Sequence, residues 1–303
     1  MTVQEGGSTP RPGPIRVWWL AIRPKTLWAA FAPVVVGTAI AFGDGVGHWP
    51  AALLALAGAL AIQIGTNLIN DYSDFHRGAD TADRKGPTRV TQSGLIPPGT
   101  VLIGTAVAFA IALGSGAYLI ARGGIPILVV GALSILSGIL YTAGPKPLGY
   151  IGLGDLFVLL FFGPVAVAGT HYVQSLTLSW TALAAGLGPG LMAVALLSVN
   201  NLRDIEEDLF AGKRTLAVRF GPRFARWEYV ACVVGAALVP VVLYLSSGSH
   251  PWSMLAGGML VFAAPVLRRV LAGIDGVKLN PLLGLTGRLS VIYSLVFSLT
   301  WLI

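Results

Sequence analysis

Two stretches of this chain concentrate residues able to do chemistry. The first reads Asn67-Leu-Ile-Asn70-Asp71-Tyr72-Ser-Asp74-Phe-His76-Arg77-Gly78-Ala-Asp80; the second runs Asn200-Asn201-Leu-Arg203-Asp204-Ile-Glu206-Glu207-Asp208 and ends at Lys213-Arg214. At 100° per residue, Asn67, Asp71 and Asp74 fall within about 60° on a helix, and Asn201, Asp204 and Asp208 within a similar arc. Each stripe offers an amide and two carboxylates. Crowded carboxylates repel where the dielectric is low, so something cationic must compensate them. Oxygen-rich stripes suit Mg²⁺, which takes carboxylates and waters and completes its shell with substrate phosphate oxygens. Asn67, Asn70, Asp71, Asp74, Asp80, Asn201, Asp204 and Asp208 form the candidate metal set, with Asp80 on a loop beyond Gly78. Lys213 and Arg214, with Arg84, Lys85 and Arg89, are placed to contact the remaining charge of a diphosphate. Glu206 and Glu207 project off the second stripe and read as solvated, and His76 as a loop histidine. No histidine has zinc-protease spacing.

The elements that carry these stripes are apolar. Of 303 residues, 55% are hydrophobic and 11% charged, with a mean hydropathy of +0.76. Too few charges remain to cover a water-facing surface, since soluble domains carry about 25%. The long continuous apolar runs read as helices crossing a bilayer, not as alternating barrel strands. Nine spans are expected, at about 26–43, 51–70, 100–121, 124–142, 154–173, 180–200, 227–246, 251–270 and 286–303, following a disordered tail over 1–15. The expected fold is an all-α polytopic membrane protein, with residues 16–303 forming one transmembrane domain. The Gly186–Gly190 run interrupts the sixth span as a kink or a close-packing site. Of the 20 Lys and Arg, Arg122 alone falls on the second set of alternate connections. Short basic connections face the cytoplasm, so the N-terminus and both acidic stripes are expected on the cytoplasmic side of the cell membrane. The net charge of +7 is then a topology signal, and nucleic-acid binding need not be invoked. The lone Cys232 cannot form an intrachain bridge.

The two acidic motifs resemble those of the UbiA-type intramembrane aromatic prenyltransferases. Thr88–Gly99 (TRVTQSGLIPPG) and Leu140–Pro164 (LYTAGPKPLGYIGLGDLFVLLFFGP) are similar to the branch acting on 1,4-dihydroxy-2-naphthoate in menaquinone synthesis. The likeness runs from Arg23 to the C-terminus. Where the broad family pattern has a third acid, this chain has Gly78, with Asp80 beyond it. The resemblance implies nine helices around a central cavity and Mg²⁺-dependent transfer of a polyprenyl chain from its diphosphate to the naphthoate, with decarboxylation. Asp71, Asp74, Asp204 and Asp208 would bind the metal–diphosphate. Tyr141, with Tyr72 and Phe75, offers aromatic faces to an allylic cation. Arg23, Lys25 or Lys146, with Tyr72 on the same side, would hold the acceptor's carboxylate. Other aromatic acceptors, such as 4-hydroxybenzoate or homogentisate, fit the same motifs. A secondary transporter would carry charge near the bilayer midplane, and the span centres hold no Asp, Glu, Lys or Arg.

Overall fold

The computed structural model describes residues 12–79 and 84–303, and all regular structure among them is helical. The elements are α1 (Pro14–Ile22), α2 (Pro24–Gly43), α3 (Trp49–His76), α4 (Pro98–Gly123), α5 (Ile125–Leu140), α6 (Gly154–Phe161), α7 (Pro164–Ser175), α8 (Trp180–Ala185), α9 (Leu187–Arg203), α10 (Ile205–Phe210), α11 (Leu216–Ser247), α12 (Met259–Leu271) and α13 (Asn280–Trp301). Single 3₁₀ segments, Pro251–Gly258 and Gly276–Leu279, precede α12 and α13. Among the described residues, eight helical segments are long and apolar enough to cross a membrane; the joined pairs α6–α7 and α8–α9 each count as one. The expected span at 124–142 is α5, whose 16 residues rise only about 24 Å, short of the ~30 Å hydrocarbon core.

Proline punctuates the starts. Pro14, Pro24, Pro98 and Pro164 each open a helix, where the missing N–H has no intrahelical partner to lose. Ser179 and Thr215 cap α8 and α11 by accepting the N–H of Ala182 (3.1 Å) and Val218 (3.3 Å). The kink in α11 sits at Gly221, whose φ of 81° only glycine adopts without strain; Pro222 follows it. α11 therefore begins eleven residues before the expected span at 227.

Two breaks meet inside the bundle. α6 passes into α7 at Phe162–Gly163, and α8 into α9 at Gly186. A Cβ on Gly186 would lie 2.6 Å from Pro164 Cα, and one on Gly190 2.9 Å from Gly163 Cα. Backbone therefore touches backbone, and the Gly186–Gly190 run is a close-packing site.

The main core joins α9, α11 and α13 around Tyr229, Tyr293 and Phe297, all fully buried, with Tyr229 and Thr286 hydroxyls 3.0 Å apart. A second cluster seats α1 on α3 and α4 through Val17, Leu68, Val90 and Val101. Between α2, α3, α4, α5, α6–α7 and α9 lies a cavity of about 390 Å³. It follows α3 from Ala55 to Asn70, about 22 Å along the helix. Its walls are mostly aliphatic and aromatic; Asn67, Asn70, Tyr141 and Asn200 stand at the end nearest the two motifs, and Gln63 lies deeper along α3.

Candidate active site

The first motif is helical through His76, so its expected stripe forms, and its acids are buried. Asp71 and Asp74 are each 1% exposed. Buried charge must be paired and hydrogen-bonded, and both acids are. Asp71 accepts the backbone N–H of Val90 (3.2 Å) and Thr91 (3.0 Å), with the Arg23 guanidinium 3.6 Å away. Asp74 takes the Arg89 guanidinium at 3.0 Å and the Tyr150 hydroxyl at 2.9 Å. Both therefore clamp the loop after α3 across the motif end of the bundle. Arg89 and Arg23 lie beside the first motif, each pairing with an aspartate.

The second motif departs from its expected geometry. α9 ends at Arg203, and Asp204 is the joint before α10 (φ −101°, ψ 11°), so Asn201, Asp204 and Asp208 share no continuous helical stripe. Arg203, itself 3% exposed, holds both oxygens of Asp204 at 2.6 Å and donates to Asn280 Oδ1 at 2.8 Å. Asp208 lies on α10, 8% exposed.

Lys213 joins the motifs. Its ammonium lies 3.6 Å from Asp74 Oδ1 and 3.7 Å from Asp208 Oδ1, and 4.9 Å from the centre of the Tyr150 ring. Two aspartates from distant parts of the chain thus converge on one cation. Burial, reinforced by the negative charges of Asp204 and Asp74, still pushes the Asp208 carboxyl up to about 7, against the opposing pull of Lys213 and Arg84. Arg84 and Arg203 also converge: a Cβ on Gly86 would lie 2.9 Å from one guanidinium and 3.0 Å from the other. Among the described residues no three acids, histidines or cysteines form a ready metal cluster. The oxygens arranged around a shared positive charge are those of Asp74 and Asp208.

Other expected residues fall elsewhere. Asn67 donates to Ile22 O and Thr26 Oγ1, both at 2.9 Å, and its own oxygen accepts from Gln63 at 3.3 Å. Asn70 Oδ1 accepts the Thr142 hydroxyl at 2.6 Å. Each amide oxygen accepts one hydrogen bond within the protein. Asn201 is buried but does not line the cavity. Tyr72 packs into the cluster beneath α1 and against His76, with ring centroids 4.2 Å apart, away from the cavity. Lys25 and Lys146 are exposed and off the cavity wall. Arg214 contributes its backbone N–H to Tyr150 O at 2.8 Å, its side chain being exposed. Asp80 lies outside the described residues. Tyr141 does line the cavity.

Two acids expected to be solvated have partners. Glu207 accepts the Lys85 N–H at 2.6 Å, and Glu206 pairs with the Lys85 side chain, so Lys85 ties its loop to α10. Sequence reasoning gave no site role to Tyr150, Arg203 or Gln63. Tyr150 lies inside the TAGPKPLGY segment, and Arg203 adjoins Asp204; their partners lie in sequence-distant loops and helices.

The chain matches the UbiA prenyltransferase family over residues 30–298. It is 41% identical to a 1,4-dihydroxy-2-naphthoate octaprenyltransferase of Mycobacterium tuberculosis, covering 92% of this chain and 94% of that protein. An Escherichia coli protein of the same description is 39% identical, with 94% of each chain covered. In fold the chain is similar to a UbiA homolog from Archaeoglobus fulgidus bound to GPP and Mg²⁺, with a TM-score of 0.68 at 17% identity over 94% of this chain and 99% of that one. An apo UbiA homolog from Aeropyrum pernix gives a TM-score of 0.69 at 17% identity, over 91% and 97%. With both acidic motifs at the mouth of one apolar cavity, the chain belongs to the UbiA prenyltransferase family.

Proposed function

We propose that this protein transfers a polyprenyl group from polyprenyl diphosphate to 1,4-dihydroxy-2-naphthoate, with loss of CO₂, giving demethylmenaquinol, the reduced form of demethylmenaquinone. The observation that carries the reading is Lys213 standing between Asp74 and Asp208 at the polar end of an aliphatic cavity. Relatives 39–41% identical carry the naphthoate prenyltransferase description. The distribution of Lys and Arg supports a motif end on the cytoplasmic side of the cell membrane.

A hard divalent ion fits this donor set. Asp208 is under-compensated by the cations around it, and carboxylate oxygens from both motifs already surround a positive charge. Asp208 would hold Mg²⁺ together with oxygens of Asp74 and Asp204 that the ion takes over from Lys213 and Arg203, and Asp71 would act with them by keeping the covering loop in place. When bound, the ion neutralises charge developing on diphosphate oxygens. Lys213, Arg84 and Lys85 supply the fixed positive charge around it. The allylic C–O bond breaks with its electron pair leaving on the diphosphate. The cavity wall excludes the water that would quench the cation, and the Tyr141 ring offers it a π face. The ring carbon bearing the carboxylate attacks, the electrons of the C–CO₂ bond return to the ring, and CO₂ departs. The isoprenoid tail lies along the aliphatic length of the cavity.

Purified protein is incubated with radiolabelled polyprenyl diphosphate, dihydroxynaphthoate and Mg²⁺. The expected result is a lipid-soluble product with equimolar CO₂. Preference for 4-hydroxybenzoate would overturn the acceptor assignment, and metal-independent turnover the ion's role.

A further inference from the structure

One hydrogen-bonded chain links the cationic mouth to the cavity interior, and its direction is fixed. The Thr26 hydroxyl donates to Arg23 O at 2.9 Å, so the Thr26 oxygen is left to accept. Asn67 Nδ2 donates to it and to Ile22 O, both at 2.9 Å. A backbone carbonyl only accepts, so this contact fixes which end of the Asn67 amide is nitrogen. Asn67 Oδ1 must then accept, and it takes Gln63 Nε2 at 3.3 Å. The remaining atom of that amide, Gln63 Oε1, has no hydrogen-bond donor among the described residues. Gln63 is 9% exposed and forms part of the cavity wall. That oxygen is open to the cavity and not sealed in the protein, so it can accept from a bound molecule, and an isoprenoid tail has no donor to offer.

We infer that Gln63 Oε1 receives the ring hydroxyl of the acceptor on the side away from its carboxylate, the 4-hydroxyl of dihydroxynaphthoate, and so selects and orients that ring. The inference rests on the proposed acceptor and adds the residue that reads it. Gln63 lies eight residues before Asp71, about 12 Å deeper along α3. The opposite end of the same chain is Arg23, beside Asp71. A ring with an acid at one end and a free hydroxyl at the other matches this polarity. The 1-hydroxyl, adjacent to the carboxylate, is occupied by an internal hydrogen bond. A carboxylate cannot take the Gln63 position, because it brings an acceptor to an acceptor.

The test compares 1,4-dihydroxy-2-naphthoate with 1-hydroxy-2-naphthoate, which differs only in lacking the 4-hydroxyl. Binding is measured by calorimetry on the full-length protein in detergent, and turnover with the prenyl diphosphate in parallel. Wild type is expected to bind the diol about 5- to 20-fold more tightly, the range of one hydrogen bond whose loss strands a buried partner. Gln63→Leu, and Gln63→Met as a second, unbranched replacement, should bring that ratio to about 1. The KM for prenyl diphosphate should stay within about twofold, a split that general damage to the fold would not produce. Equal binding of both naphthoates by wild type, or a ratio that survives both substitutions, overturns the inference without a folding argument. A wild type that binds with the hydroxyl preference yet forms no product overturns the proposed reaction and leaves the contact standing. Failure to bind either naphthoate overturns both.

Discussion

The two acidic motifs look alike in sequence and do different work in the fold. The first lies wholly within α3, and its acids are saturated: Asp71 by two backbone N–H groups, Asp74 by a guanidinium and a phenol. The second spans the joint between α9 and α10; Asp204 is held by Arg203, and Asp208 is left with a shared ammonium at 3.7 Å. Saturated acids fasten a loop. An under-compensated one is ready to take a further cation.

Substitution separates the two. Asp74→Ala strands Arg89 and frees Lys213, and breaking a buried pair costs about 3–5 kcal/mol. It should abolish turnover and lower the melting temperature together, and full activity in a folded Asp74→Ala protein would end the comparison. Asp208→Asn should reduce kcat by about 10²–10³-fold, the scale of one lost electrostatic contact to developing charge. Its melting temperature without metal should hold or rise, since a costly buried charge disappears.

A titration sharpens the contrast. The Asp208 carboxyl sits at about 7 when folded and near 3.9 when unfolded. Its protonated form therefore favours the folded state below about pH 4, and that contribution fades as pH rises to 7. Mg²⁺ must displace the same proton. Stabilisation by Mg²⁺ with diphosphate should be larger at pH 8 than at pH 6, and Asp208→Asn should flatten that difference; thermal shifts at both pH values check it. The smallest effect belongs to Glu206→Gln. It removes an exposed pair with Lys85, while Glu207 still holds the loop backbone, and neither kcat nor melting temperature should move measurably.

What was legible in the sequence followed from local periodicity. The apolar runs located the spanning helices, and the spacing of Asn67, Asp71 and Asp74 described a helix that continues to His76. Periodicity assumes an unbroken helix, and it failed at Asp204, where Arg203 grips its neighbour and the backbone leaves the helical path. It also marks which residues share a face without saying what that face meets, which is why Tyr72 turned out to pack under α1. The remaining partners are long-range. Glu207 meets Lys85 across 122 positions, and Tyr150 meets Asp74 across 76; no local rule joins such pairs. Gln63 was hidden differently, since a lone glutamine in an apolar helix gains meaning only once Asn67 and Thr26 fix which way its amide points.

The abutting breaks at Gly163–Pro164 and Gly186–Gly190 have a consequence for how the enzyme can diversify. With main chain against main chain there, that side of the chamber behaves as a cast part, closed to substitution by anything with a side chain. α4 and α5 instead turn many aliphatic side chains outward, such as Ile103, Ile111, Leu133 and Leu136. Accommodation of a bulkier guest must come from that pliable flank, and variants with altered chain-length preference should accumulate there.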